Sequence, residues 1–241
     1  MNRVIIRRVR PTTARCSQLE LVGDRARARF QTDLRLSPGQ FALARLAQTA
    51  DPYLRQAFFP SSISSTGFTV DLAAADPALR WLAPGNEIDL LGPVGAALPD
   101  FPARSRVLLV AEDDPGPLLP LAFRAVAQAG AATLLLATRY PLEALDPEIE
   151  LRVGDLAALT AEYAPAADLV FIHAGLRLHA PILQALTQVR SFVPAHDARA
   201  LISGPMPCGV GACGACYIKT ARGWKMACVD GPFFSIVELE T

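Results

Sequence analysis

Four cysteines fall within 21 residues near the C-terminus. CGVGACGAC at 208–216 carries Cys208, Cys213 and Cys216, and Cys228 follows in KMACVDGPFF. Clustered thiols must be joined as disulfides, bound to a metal or held as a redox switch, and each choice dictates how the local chain folds. Compartment narrows the choice. The opening MNRVIIRRVRPTT is broken by Arg3, Arg7, Arg8 and Arg10, so it does not read as a secretory signal. No apolar run is long enough to span a bilayer. The expectation is a cytoplasmic protein, where clustered cysteines are metal ligands rather than disulfides. Cys16 stands alone and reads as a buried thiol in a strand region.

The spacing is Cys208-x4-Cys213-x2-Cys216-x11-Cys228. That order is the plant-type [2Fe–2S] order, whereas zinc ribbons more often use two C-x2-C knuckles. The interleaved Gly209, Gly211 and Gly214 point the same way. A loop that wraps a cluster and aims N–H groups at sulfur needs backbone that only glycine adopts freely. Structural zinc and a thiol switch remain the alternatives. Lys219 and Lys225, the only lysines, lie inside this segment and either offset cluster charge or are ordinary hairpin lysines.

The rest of the chain divides by rhythm. Residues 1–100 contain short strand-like runs: VIIRRV, LELV, RARARF, QFALARL, FTVDL and EIDLLG, punctuated by SPG, STG and APGN. They predict an antiparallel β-barrel. LPDFPARS at 98–105 reads as a linker. Over 104–197 the pattern alternates: RVLLVA, ATLLLATR, EIELRVG and DLVFIHAG as strands, with helices over 117–130, 156–164 and 180–190. Such alternation predicts a doubly wound parallel sheet. Residues 198–241 read as a small cluster module. Basic and acidic residues balance at 23 each, so no net field points to nucleic acid or a membrane surface.

CGVGACGACYIKTARGWKMACVDGPFF resembles the C-terminal cluster module of the electron-transfer subunit of bacterial dihydroorotate dehydrogenase, within the ferredoxin-reductase-like superfamily. The carriers of the resemblance are Cys-Gly-x-Gly-x-Cys-x-x-Cys and the tail Cys228-Val229-Asp230-Gly231-Pro232-Phe233-Phe234. SPGQFALARL at 37–46 and APGNEIDLLGPVG at 83–95 are similar to that family's flavin-barrel stretches. The resemblance implies a flavin-binding barrel, a nucleotide-binding α/β domain and a [2Fe–2S] cluster on Cys208, Cys213, Cys216 and Cys228. It implies FAD near Pro60, Ser62 and Arg80. It also implies an FMN-containing catalytic partner that oxidises dihydroorotate, with NAD as the final acceptor.

The departures fall on ligand motifs. Phe59-Pro60-Ser61-Ser62 stands where the family has Arg-Pro-x-Ser, so a charged contact to the FAD pyrophosphate is missing. Arg55 is a nearby substitute. Ala78-Leu79-Arg80-Trp81-Leu82 lacks the family's Gly-Thr, with Arg80 as the replacement cation. In place of a glycine-rich turn after the first α/β strand stand Glu112, Asp113 and Asp114. Three carboxylates repel a pyrophosphate, and Asp114-Pro115 is a good helix start whose side chain takes the ligand anion's place. Direct NAD use is therefore not expected. The family's late Cys-Gly-Pro is replaced by His173-Ala174-Gly175-Leu176, and neither His173 nor His179 has an adjacent catalytic partner. Two readings stay open. One is an electron-transfer subunit with cluster and FAD. The other is a flavin-free wire or assembly subunit, its first two domains a scaffold, exchanging electrons with a partner oxidoreductase.

Overall fold

The computed structural model describes residues 9–46, 54–139, 145 and 147–240. The expected VIIRRV strand lies, but for Val9, outside them.

The N-terminal unit is a seven-stranded antiparallel, barrel-like sheet. Its strands are β1 (Arg10–Val22), β2 (Arg25–Gln31), β3 (Phe41–Arg45), β4 (Gln56–Phe58), β5 (Ser62–Ser64), β6 (Gly67–Ala73) and β7 (Glu87–Val94). The order is β4-β3-β7-β1-β2-β6-β5. RARARF shows why the strand forms. Ala26, Ala28 and Phe30 turn inward while the arginines face out, the period-two pattern of a half-wet strand. Phe30 packs between Phe58 and Phe68, with ring centroids 5.5 Å apart in each pair. Cys16 lies buried in this core, within β1.

The second unit is a six-stranded sheet of β8 (Arg106–Ala111), β9 (Ala131–Leu136), β10 (Ile149–Val153), β11 (Leu169–His173), β12 (Ala198–Leu201) and β15 (Phe233–Ser235), ordered β10-β9-β8-β11-β12-β15. Its strands are parallel except β15. The unbroken apolar run RVLLVA reflects burial on both faces. Val107, Leu109 and Ala111 meet α1 (Leu119–Ala127), and Leu108 and Val110 join the cluster of α2 (Leu156–Tyr163) and α3 (Leu176–Val189). Strand order reverses between β8 and β11, the point where open α/β sheets bind ligands.

Helix α3 begins at Leu176, four residues before the predicted 180, and takes Pro181 inside it. A proline near a helix start loses one backbone bond and suits the first turn, which is why the sequence pattern placed the start there. The boundary drawn at 198 falls on the first residue of β12. The C-terminal module is thus a loop and the hairpin β13 (Tyr217–Thr220) with β14 (Gly223–Met226), held between two strands of the α/β sheet.

The module also docks on the barrel. The Gly95 N–H donates to the Cys228 carbonyl over 3.2 Å. A Cβ on Gly209 would come within 2.6 Å of Leu43 Cδ1 in β3.

Candidate functional site

The cysteine loop is shaped by three glycines in the left-handed region, Gly209, Gly211 and Gly214, with φ of 65°, 77° and 71°. A Cβ on Gly211 would lie 3.0 Å from Val229 Cγ2 and 3.2 Å from Met226 Cε, so the loop is closed against the hairpin as well as the barrel. All four cysteines are free thiols. Cys216 and Cys228 are buried, Cys208 is half-buried and Cys213 is exposed.

The sulfurs form two pairs. Cys216 Sγ lies 3.3 Å from Cys228 Sγ, and the Cys213 thiol is near enough to Cys208 to help lower its pKa. Among the described residues no three histidine, cysteine or carboxylate side chains gather as a single metal-ion site. A lone tetrahedral zinc would need all four thiolates on one centre, whereas a two-iron cluster takes two on each iron. Two pairs suit the second.

Backbone amides aim at the sulfurs. Burial pushes the Cys208 thiol up. Hydrogen bonds from Val210, Cys213 and Ala212 N–H groups, joined by the Cys213 thiol, outweigh it and bring Cys208 down to about 6. Cys228 goes the other way, pushed up to about 12 by burial and by its neighbour Cys216, although Gly211 N–H donates to it. The donor set, the amide cradle and the glycine conformations together fit a [2Fe–2S] cluster. In the same module as the exposed Cys213, Val210, Tyr217, Trp224 and Val229 are apolar and each at least 40% exposed.

A cleft of about 520 Å³ opens between the barrel and the α/β domain. Phe59, Val70, Leu72 and Met206 form apolar wall, and Arg25, Arg55, Gln56, Asp71, Asp76, Asp114 and His173 the polar wall. Phe59, in the place of the expected arginine, stacks on Phe41 with centroids 4.7 Å apart. Phe59 and Met206 both line the cleft and pack in the cluster that holds Cys216 and Cys228. Cleft and cysteine module therefore share a wall.

Pro60, Ser62 and Arg80 are not among the residues that line this cleft. Pro60 is buried, and Arg80 is exposed on a short 3-10 turn, Pro77–Arg80. Ser62 faces a separate pocket of about 330 Å³. Arg55 does reach the cleft, but its guanidinium is drawn to the Leu43 and Asp89 carbonyls, each 3.3 Å away. The cleft thus has the volume and apolar wall for a flavin ring system, and its polar wall carries both signs of charge, Arg25 and Arg55 beside Asp71, Asp76 and Asp114.

At the reversal of strand order, the acidic turn is folded onto the protein itself. The Gly175 N–H at the start of α3 donates to Glu112 Oε2 over 2.8 Å, and Arg177 pairs with the other oxygen. The Gly116 N–H donates to Asp114 Oδ1 over 2.9 Å. Arg25, from barrel strand β2, donates to the Asp113 carbonyl over 2.6 Å and lies 3.7 Å from Asp114 Oδ1. Burial pushes the Asp114 carboxyl up, against the pull of Arg25 and His173. The pairing of Glu112 with α3, and Arg25's hold on Asp113 and Asp114, carry no motif that sequence reading could use. The 63 and 88 residues between these partners hide them.

The comparisons agree with this geometry. Residues 204–240 match the family described as the iron-sulfur cluster binding domain of dihydroorotate dehydrogenase B. The dihydroorotate dehydrogenase B (NAD(+)) electron transfer subunit of Shouchella clausii is 28% identical over 232 residues, covering 84% of this chain and 86% of that protein. Sulfhydrogenase 1 subunit gamma of Pyrococcus furiosus is 44% identical over 34 residues, 14% of this chain and 12% of that protein. Among solved structures, the NADH-dependent reduced ferredoxin-NADP oxidoreductase superposes with a TM-score of 0.74 at 20% identity, covering 94% of this chain and 89% of that one. The ferredoxin reductase of carbazole 1,9a-dioxygenase gives 0.64 at 15% identity, covering 80% and 67%.

Barrel, doubly wound sheet and cysteine module together define a ferredoxin-reductase-like fold whose C-terminal segment is similar to an iron–sulfur cluster binding domain. More narrowly, the chain is similar over most of its length to the electron-transfer subunits of dihydroorotate dehydrogenase B, at 27–28% identity.

Proposed function

We propose that the chain carries a [2Fe–2S] cluster on Cys208, Cys213, Cys216 and Cys228 and relays electrons between it and a partner oxidoreductase. The observation that carries the proposal is the pairing of the four sulfurs, with Cys216 and Cys228 at 3.3 Å, inside a loop of three left-handed glycines. A bound cluster supplies one-electron transfer. The chain's own residues hold and tune it. Val210, Ala212 and Cys213 amides stabilise negative charge on the Cys208 sulfur, and Gly211 does so on Cys228. Leu43, Val94 and Met206 pack against the module and keep water from its inner side. The exposed apolar residues of the module, Val210, Tyr217, Trp224 and Val229, are the surface a partner would cover. An FMN-containing catalytic subunit similar to that of dihydroorotate dehydrogenase is the partner we propose.

The second carrier we propose is a flavin whose ring lies in the interdomain cleft. The shared wall of Phe59 and Met206 supports this placement, because it sets the cleft beside the cysteine module.

Anaerobic purification followed by iron, sulfide and flavin analysis tests both parts. Two irons and two sulfides per chain, with a paramagnetic signal on one-electron reduction, are expected; zinc without sulfide would refute the cluster. Absence of extractable flavin would refute the second carrier and leave the first standing.

A further inference from the structure

Open α/β sheets bind nucleotides where strand order reverses, with phosphate on helix N–H groups. In this chain that place lies between β8 and β11, and a carboxylate already occupies it. Glu112 is only 9% exposed. One oxygen accepts the Gly175 N–H and the other pairs with Arg177 in the first turn of the 14-residue α3. A Cβ on Gly175 would sit 3.2 Å from that carboxylate, so a second anion could reach the glycine only by displacing the Glu112 side chain. On the other side of the reversal, Asp114 Oδ1 takes the Gly116 N–H at the turn leading into α1. Arg25 reaches across from the barrel to hold the Asp113–Asp114 stretch in place.

We infer that Glu112 and Asp114 are built-in occupants of the nucleotide-phosphate position, so that this chain excludes pyridine nucleotides and both of its electron exchanges run through protein or flavin contacts. Both N–H donors are satisfied from within, and the fixed charge of Glu112 repels a pyrophosphate. The Arg25 contact ties the plug to the barrel, so opening it would disturb the interdomain cleft as well. The routing of electrons rests on the proposed electron-transfer function. The exclusion of nucleotide does not, so each can fail alone.

The test is calorimetric titration of the full-length, cluster-loaded protein with ADP-ribose and with NADH. ADP-ribose carries the pyrophosphate without redox chemistry, so its binding is independent of activity. The wild-type protein is expected to show no saturation at concentrations up to about 1 mM, a range that would reveal even weak sites. Glu112→Gly/Asp114→Gly is expected to bind ADP-ribose at least about tenfold more tightly. Glu112→Gln keeps the shape of the plug and removes its charge, so it should gain a smaller, measurable affinity even where the double variant fails to fold. Saturable binding by the wild type below about 1 mM would overturn the inference. So would a folded Glu112→Gln protein with no gain.

Discussion

Met206 and Phe59 meet the same two spaces: each lines the interdomain cleft, and each packs in the hydrophobic cluster around Cys216 and Cys228. One comes from the loop after β12 and the other from the end of β4, so only the docking of the module on the barrel brings them together. Their common position couples the integrity of the cleft to that of the cysteine loop.

Replacing Cys228 with serine should abolish the cluster, because the buried sulfur paired with Cys216 is lost. Replacing the isolated Cys16 with serine should leave iron content unchanged, since it lies in the barrel core. Iron and sulfide per chain in the two variants check this contrast.

Gly209→Ala should lower cluster occupancy while the barrel stays folded. The residue has φ of 65°, and its new Cβ would collide with Leu43 Cδ1 at 2.6 Å. Left-handed backbone costs an ordinary residue about 1–2 kcal/mol, before any clash. Iron content and far-ultraviolet circular dichroism, measured together, separate loop damage from unfolding.

Glu112→Ala should destabilise the α/β domain by about 1 kcal/mol, the net worth of one hydrogen bond, because Gly175, which supplies the N–H, is itself exposed. Most of that loss would come from the Gly175 N–H. The Arg177 side chain is 73% exposed, so solvent screens its share of the ion pair. Denaturant unfolding of the two proteins at equal cluster content measures the difference.

His179 is fully buried in α3, where burial holds its pKa below the ordinary 6.5 despite the Nε2–H bond to the Ala174 carbonyl. Its Nδ1 has no hydrogen-bond partner among the described residues. The unfolded chain therefore binds this proton more readily than the folded one. Stability from this site is complete above about pH 6.5 and is lost as pH falls toward and through the lowered folded value. His179→Gln should flatten the stability profile between about pH 7 and pH 5. An unchanged slope, read from unfolding midpoints across that range, would contradict the assignment.

Much of the molecule was legible before any coordinates. The x4-x2-x11 cysteine spacing and its glycines are local instructions, written within 21 residues, and they specify a loop that closes on itself. RARARF and RVLLVA likewise carry their own geometry. One alternates because a single face is wet, and the other is unbroken because both faces are buried. The acidic turn was visible too, but the helix start expected at Asp114-Pro115 was not found: α1 begins at Leu119 after a 3-10 turn over Gly116–Leu118, and Asp114 instead takes the Gly116 N–H within the turn.

What lay beyond the sequence was every relation between distant segments. Pro60, Ser62 and Arg80 are neighbours of a family motif along the chain, yet none lines the cleft, because side-chain direction on strand and turn is set by the folded sheet. Glu112 reaches Gly175 only once β8 and β11 lie side by side, and Arg25 reaches Asp113 only once barrel and sheet have docked. The sequence alone determined the ligand loop and the two fold classes, since those depend on short-range backbone preference and burial period. Only the tertiary structure decided which space adjoins the cysteines and which groups occupy the nucleotide position. Those are contacts across 63 and 88 residues of chain, set by packing rather than by local pattern.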